Sequence, residues 1–199
     1  MSSGTKTDII TVPSLQSYFY ESLCEVNNTS LCPVLNEALF YSSDVLDKFS
    51  HSAEYYEYSE GRVKEKILGE MFLEAQLKSL EEQKRIYKDI GDTSLILCGY
   101  FSESINKKIV DKSYYKNLGV TAYQRLNSVV PTVLDVPSFF KVMASSFDAV
   151  TGLISIVASK DQSDPHRHLI FDKLMKGEEL SEQELLVAKV IPQKTKKVS

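Results

Sequence analysis

The sequence predicts an all-α protein, a single-domain bundle of about six to eight helices. Its 199 residues include 8 Gly and 6 Pro, about 7% of the chain against about 12% in an average protein. Apolar residues recur at helical spacing along most of the chain, and no stretch alternates with period two between hairpin turns. A chain of this length suits one domain, and short connections favour antiparallel helices.

The first part of the chain predicts two helices followed by a connector. Residues 13–26 predict the first helix, because apolar residues recur every four positions behind Pro13, which suits a first helical position. Residues 33–49 predict the second helix, and the polar, tyrosine-rich residues 51–61 predict a connector. The apolar positions that indicate these two helices are Leu15, Phe19, Leu23, Leu35, Leu39, Leu46 and Phe49.

The longest helical signal covers residues 62–90, which contain one Gly and no Pro. Gly91 and Asp92 then provide a C-cap followed by an N-cap, and residues 95–105 predict a helix that is buried on several sides. The pattern leaves open whether residues 62–105 form one kinked helix or two. The apolar side of the first segment is marked by Ile67, Met71, Leu77, Leu80, Tyr87 and Ile90.

Four further helix signals follow. Asp111 or Ser113 caps a helix in which Gly119 is small enough to allow a close helix crossing. A stripe of apolar residues then predicts one long helix, Asp164 before Pro165 starts another, and the capping-box sequence at Ser181 starts the last. The stripe consists of Phe139, Met143, Phe147, Val150, Ile154 and Val157, of which the first five are expected to line the central core.

The chain ends and the apolar stretches predict a cytoplasmic protein. We expect a flexible N-terminus at residues 1–12, a bundle at residues 13–191 and a basic disordered tail at residues 192–199. The start of the chain has no signal-peptide pattern, and its longest apolar stretches fall well short of the roughly 20 residues of a membrane helix. No membrane role is therefore predicted, and the three cysteines are expected to be reduced thiols.

The net charge of -4 is unevenly distributed. Residues 1–60 contain two Lys and nine acidic residues, whereas residues 61–199 contain 21 basic and 18 acidic residues. The two parts can attract each other within one domain, or the acidic part can face a basic partner. The balance excludes a whole-surface nucleic-acid binder, which needs clustered excess Lys and Arg.

The sequence contains none of the common motifs for nucleotide binding, serine hydrolysis or di-iron chemistry. His166 and His168 lie two positions apart, so a helix would point them in divergent directions rather than toward one metal. Glu70 and Glu74 fit a solvated helix face, and Cys98 fits core packing. We therefore predict no catalytic residue, no cofactor-binding residue, no bound cofactor and no metal ligand.

Tyrosine is the most unusual part of the composition, with 11 Tyr and 9 Phe but no Trp. Adjacent aromatic residues cannot all face the core of a helix, and Tyr is enriched at protein interfaces. Tyr55, Tyr56, Tyr58 and Tyr114 are therefore the candidate interaction surface. The alternative is that these tyrosines seal the edges of a bundle core.

A block of about 35 residues resembles an uncharacterised family of all-helical bacterial proteins. Its pattern is Gly-Asp-x-Ser-Leu, then Gly-aromatic-Phe, then Tyr-Tyr-x-x-x-Gly-x-x-x-Tyr. The resemblance implies a bacterial, all-helical protein without an assigned activity, so it supplies no catalytic residue. The matching positions are Gly91, Asp92, Ser94, Leu95, Gly99, Tyr100, Phe101, Tyr114, Tyr115, Gly119 and Tyr123.

These observations favour a non-enzymatic, cytoplasmic helical protein that acts as an adaptor or regulator through a protein partner or a homo-oligomer. The alternative is a small-molecule sensor or an enzyme with a pocket between helices. The first hypothesis predicts an exposed apolar or tyrosine-rich patch. The second predicts a closed cavity lined by a few convergent polar groups.

Overall fold

The fold is described from a computed structural model, which covers residues 14–50, 56–59, 62–102, 111–129 and 138–163. The predicted all-α class is confirmed, since this part of the chain forms seven helices and its β structure is one two-stranded hairpin. The helices predicted from Asp164 and Ser181, the predicted N-terminus and the predicted tail lie outside the described residues. The domain boundaries therefore stay predictions.

Helices α1 (Leu15–Asn27) and α2 (Asn36–Phe49) pack against each other. The Ser14 hydroxyl caps α1 by accepting a hydrogen bond from the Ser17 amide at 3.1 Å. The predicted start of the second helix at residue 33 is wrong. The Asn27 side chain accepts from the Val34 amide at 2.8 Å and donates to the Val34 carbonyl at 3.0 Å, which holds this backbone outside the helix.

A β-hairpin replaces part of the predicted connector and the start of the predicted long helix. Strands β1 (Tyr56–Ser59) and β2 (Arg62–Glu65) are antiparallel. The predicted connector at residues 51–61 is therefore wrong at residues 56–59, and the helix predicted from residue 62 is wrong at residues 62–65. The two residues between the strands are Glu-Gly, and glycine in a two-residue connection is a hairpin signal.

The remainder of the predicted long helix is two helices, α3 (Leu68–Ala75) and α4 (Leu80–Gly99). A capping box starts α4, because the Glu82 carboxylate accepts from the Ser79 amide at 3.1 Å while the Ser79 hydroxyl accepts from the Glu82 amide. Leu77 and Leu80 at this break are exposed, and so is Ile67 just before α3. Their predicted place on an apolar side is therefore wrong, although Tyr87 and Ile90 of the same side are buried.

The predicted caps at Gly91 and Asp92 are also wrong, because α4 runs through both residues. The helix uses Gly91 for packing, since a Cβ there would lie 2.5 Å from Cε1 of Tyr123. The break between helices in residues 62–102 therefore falls at residues 76–79, not at Gly91.

Helix α5 (Lys112–Val129) crosses α4 at short distance. Asp111 caps it by accepting a hydrogen bond from the Tyr114 amide at 3.0 Å, as predicted. The predicted close approach at Gly119 is confirmed. A Cβ at Gly119 would lie 2.7 Å from Cζ of Phe147 and 2.7 Å from Cβ of Ser94.

The predicted single helix from Phe139 to Val157 is wrong, because Ser146 separates α6 (Phe139–Ser145) from α7 (Phe147–Ser163). Ser146 has φ -99° and ψ 10°, outside helical geometry, and the two helices meet at a bend of 70°. The apolar stripe continues across the bend, because its residues before and after Ser146 face the core. Met143, Phe147, Val150, Ile154 and Val157 are buried, whereas Phe139 is half-buried.

Helix α4 occupies the middle of the described fold, in contact with α2, α3, α5 and α7. It buries both apolar and polar side chains in the segment from Ile90 to Ile96. The largest fully buried side chains are Tyr18, Tyr123, Phe19, Phe147, Leu23, Leu39, Ile90, Leu95, Ile96, Met143 and Ile154.

Among the described residues, no single helix has the length and apolar character needed to cross a membrane. The bent pair Phe139–Ser145 and Phe147–Asp161 meets the length and composition requirement only when its two members are taken together.

Candidate interaction surface

The structure describes only part of the predicted tyrosine surface. Tyr55 lies outside the described residues. Tyr56 and Tyr58 lie on β1, paired in register with Glu65 and Val63 of β2. A shared surface with Tyr114 therefore stays a prediction.

Tyr114 is 42% exposed near the start of α5. Its ring contacts that of Tyr115 edge-on at 5.3 Å, and its hydroxyl lies against Gly69 of α3. Part of this side chain therefore packs between two helices, and the remainder faces solvent.

A more extensive exposed surface lies on the outer side of α1 and α2. Helix α2 buries Leu39 and Leu46 but leaves Phe40 57% exposed. The Phe40 ring contacts Tyr20 of α1 edge-on, with 5.9 Å between the ring centroids. The two rings form one aromatic strip that spans both helices.

Three carboxylates surround this strip. Glu37 and Asp44 lie three positions before and four positions after Phe40, hence on the same side of α2. Glu21 is next to Tyr20 on α1. We call the set of Tyr20, Glu21, Glu37, Phe40 and Asp44 the acidic face.

The pKa of the Tyr20 phenol is affected by two of these three carboxylates. It is raised above its usual value first by a hydrogen bond with Cys24 and by burial, and further by the carboxylates of Glu21 and Glu37. Carboxylates from both helices therefore act on the same phenol.

The charges of the acidic face are not neutralised locally. Among the described residues, no Lys or Arg forms an ion pair with Glu21, Glu37 or Asp44. By contrast, Glu25 lies 3.9 Å from Lys160, so α1 does pair its other carboxylate.

The connection between α1 and α2 adds exposed apolar side chains at one end of the face. Leu31 is 100% exposed and Leu35 is 59% exposed, although the sequence placed Leu35 on the apolar side of its helix. The two hydrogen bonds between the Asn27 side chain and the Val34 backbone hold this connection in place. The exposed leucines are therefore carried by a segment whose backbone is anchored to the core.

A second exposed apolar surface lies where α3 meets α4. Leu77, in the turn, is 88% exposed, and the charges around it are mixed, with Glu81 paired to Lys84 at 2.6 Å. This surface lacks the single sign of charge that marks the acidic face. We call it the α3–α4 corner, made of Leu73, Leu77 and Leu80.

The Asp92 carboxyl group on α4 forms a buried polar centre. Its Oδ1 accepts hydrogen bonds from the hydroxyls of Tyr41 on α2, at 2.5 Å, and Tyr123 on α5, at 2.9 Å. Its Oδ2 accepts from the ammonium group of Lys88 at 2.7 Å, and that group also lies 5.0 Å from the centre of the Tyr41 ring. The carboxyl group therefore joins three helices.

Burial dominates the protonation of this cluster. It raises the pKa of Asp92, against the opposing effects of Lys88, Tyr41 and Tyr123. Burial also raises the pKa of both phenols, with the Asp92 charge acting in the same direction. The tyrosine hydroxyls therefore stay protonated and serve as donors.

The cluster has the geometry of a structural contact, with no room for a substrate. Asp92 is fully buried, and its carboxylate accepts its hydrogen bonds within the described part of the chain from the side chains of Lys88, Tyr41 and Tyr123. A groove of about 350 Å³ lies elsewhere, open to solvent between α5 and α6. It is lined by Gln124, Asn127, Lys141, Ala144 and Ser145.

The structure describes only some of the residues that bear on the metal and thiol predictions. The described residues contain no group of three or more His, Cys, Asp or Glu that could hold a metal ion. His51, His166 and His168 lie outside the described residues. Glu70 and Glu74 are exposed, as predicted, and Cys98 is a buried core thiol whose pKa burial raises to about 11.

Sequence reasoning missed Phe40 although a signal was present. Phe40 follows Leu39, and neighbouring helix positions differ by about 100° in direction. If Leu39 faces the core, Phe40 cannot do so fully. The acidic residues at Glu37 and Asp44 would then have identified the exposed side of the helix.

Comparisons with known proteins identify no relative of this chain. Family models, curated proteins and solved structures were compared with it, and none matched. The resemblance to an uncharacterised helical family stays a prediction. What the chain can bind must therefore be inferred from its own surface.

Proposed function

We propose that this protein acts by binding a second protein through the acidic face, as an adaptor or regulator without chemistry of its own. The observation that carries the proposal is the aromatic strip of the exposed Phe40 and the half-buried Tyr20, bordered by three carboxylates that form no ion pair with the described residues. Exposed apolar groups rimmed by polar groups are typical of protein interaction sites. The three cysteines form no disulfide, which fits action in the cytoplasm.

An aromatic residue at the centre of such a surface can dominate binding. Interface energy is concentrated in a few well-packed side chains, which are surrounded by residues that exclude water. Phe40 is suited to this role because the Tyr20 ring already holds it on one side. Leu31 and Leu35 extend the apolar area at the end of the helices.

The small-molecule alternative has less support. The groove between α5 and α6 is open to solvent, and its one charged residue, Lys141, is exposed. Ligand sites are usually concave and bury most of the ligand surface. Binding of a small molecule would therefore need an enclosure that this groove does not provide.

Position-specific photocrosslinking in the native cells tests the proposed function. The photoreactive residue benzoylphenylalanine replaces Phe40 in one variant and Asn117, an exposed residue on α5, in the matched control. We expect a defined crosslinked protein from position 40 and none from position 117. A second copy of this chain is one form that the partner can take.

The identified partner is then purified and its affinity measured. Phe40→Ser should weaken binding about tenfold or more, as expected for a central aromatic residue. The thermal midpoint of the variant should stay close to that of the natural chain, because Phe40 is exposed. Equal crosslinking from positions 40 and 117, or unchanged affinity in Phe40→Ser, would contradict the proposed function.

A further inference from the structure

We infer that the segment bound by the acidic face is a basic amphipathic helix. This inference rests on the proposed function and names the chemistry of the partner. Its apolar side would cover Phe40 and Tyr20, and its Lys and Arg side chains would approach Glu21, Glu37 and Asp44.

Charge complementarity is the first reason. Residues 14–50 contain five acidic residues and one Lys, so this surface carries a net negative charge. An acidic partner would place like charges opposite one another, which disfavours the complex. A basic segment meets three carboxylates that have no cation among the described residues.

The shape of the surface is the second reason. The acidic face consists of two packed helices and offers no open strand edge to which an extended peptide could add. The distance along α2 from Glu37 to Asp44 is about 10 Å, or roughly two turns. A helix with apolar residues at positions i, i+3, i+4 and i+7 would match this length and the aromatic strip.

The two kinds of contact have different roles. Burial of Phe40 and Tyr20 supplies affinity, whereas the exposed carboxylates select the sign of charge and accelerate association. The selectivity should therefore weaken as salt rises, because exposed charges are screened. The affinity for the apolar side should be less sensitive to salt.

Designed peptides provide the test. Two helical peptides of about 18 residues share the same Leu positions, and one has Lys on its polar side while the other has Glu. A third peptide has the composition of the Lys peptide in a scrambled order, without the apolar side. Binding to the full chain is measured by fluorescence anisotropy and by amide chemical shifts, at about 0.05 M and about 0.3 M salt.

We expect the Lys peptide to bind about tenfold or more tightly than the Glu and scrambled peptides at low salt. The amide shifts should be concentrated near Tyr20 and Phe40. Phe40→Ser should weaken binding about tenfold, whereas the matched change Leu77→Ser at the α3–α4 corner should not.

Matched charge variants separate this surface from the overall charge of the chain. The first combines Glu21→Gln, Glu37→Gln and Asp44→Asn, and it should abolish the preference for Lys over Glu. The second removes the same charge elsewhere through Glu70→Gln, Glu74→Gln and Glu81→Gln, and it should retain the preference.

Three results would overturn the inference: no binding of the Lys peptide, no preference for it over the Glu peptide, or equal effects of the two charge variants. The proposed function has a separate readout. If the photoreactive residue at position 40 crosslinks a defined partner but the chain does not prefer the Lys peptide to the Glu peptide, the inferred partner class is wrong and the proposed function stands. If Phe40 gives no position-specific crosslink, the function itself fails.

Discussion

The carboxyl group of Asp92 is buried between three helices, where water cannot solvate its charge. Lys88 and two tyrosine hydroxyls replace water as donors, but burial still raises its pKa. The folded state therefore binds a proton at this carboxyl more readily than the unfolded state. Its contribution to stability is full below the unfolded pKa of about 3.9 and is lost as pH rises through the folded pKa.

The variant Asp92→Asn tests the direction in which this contribution to stability changes with pH. The unfolding free energy of the natural chain, relative to that of the variant, should rise as pH falls from about 7 to about 4, because the folded pKa of Asp92 lies above its unfolded value. Urea denaturation at both pH values measures it, and all other groups are shared. A difference that moves in favour of the variant would mean that Lys88 lowers the folded pKa of Asp92 below its unfolded value.

The cysteines give a second residue-scale prediction. Cys98 is buried, its thiol donates to the Lys112 carbonyl at 3.7 Å, and its pKa is raised to about 11, whereas Cys32 is exposed. At pH 8 only about one Cys98 thiol in a thousand would be ionised, and the thiolate is the reactive form. Iodoacetamide should therefore label Cys32 in the folded protein and Cys98 only after denaturant is added. Peptide mapping by mass spectrometry resolves the two, and similar rates would refute the burial of Cys98.

At the scale of helices, periodicity predicted which side chains are buried better than it predicted where helices end. The stripe from Met143 to Val157 is buried as expected, but it continues across the break at Ser146. A repeat of apolar residues shows which side chains face the core. A bend does not interrupt this repeat when the helices on both sides of it pack against the core. Composition alone does not give the φ and ψ of Ser146.

The α3–α4 break was within reach of the sequence. Ser79 and Glu82 have the spacing of a capping box, the same signal that predicts a helix start at Ser181. Without that stop, the pattern places Leu77 and Leu80 on one apolar side with the buried Tyr87 and Ile90, although both leucines are exposed. The acidic face was harder to predict, because the contact between Tyr20 and Phe40 depends on the packing of two helices.

Two glycines allow a matched test of helix crossing. A Cβ at Gly119 would clash with Phe147 and Ser94, whereas a Cβ at Gly152 meets no atom within 4 Å. Gly119→Ala should destabilise the protein by about 1–3 kcal/mol, as expected for overpacking. Gly152→Ala should stabilise it by up to about 1 kcal/mol, since alanine favours helix. Chemical denaturation measures both, and equal effects would contradict the close crossing of α4 and α5.

At the scale of the whole molecule, the resemblance block and the polar centre coincide. Gly91, Asp92 and Tyr123 are three of its positions, and they meet where α5 packs on α4. Tyr41 of α2 joins them from outside the block. The short motif thus covers the crossing of α4 and α5. It does not indicate that α2 contributes the second hydroxyl donor to Asp92.

The Asp92 centre should make α2, α4 and α5 unfold together. Tyr41 and Tyr123 donate to the same oxygen, so either tyrosine alone still satisfies it. Tyr41→Phe or Tyr123→Phe should each destabilise the protein by only about 0.5–1.5 kcal/mol, the net contribution of one hydrogen bond. The double variant leaves a buried acceptor without a hydroxyl donor, and we expect its loss of stability to exceed the sum of the single losses by about 1 kcal/mol or more.

Urea unfolding of the four proteins, followed by circular dichroism and tyrosine fluorescence, measures this coupling. Losses that simply add would show that each helix holds Asp92 independently, and separate transitions for the two probes would show that the three helices do not unfold as one unit.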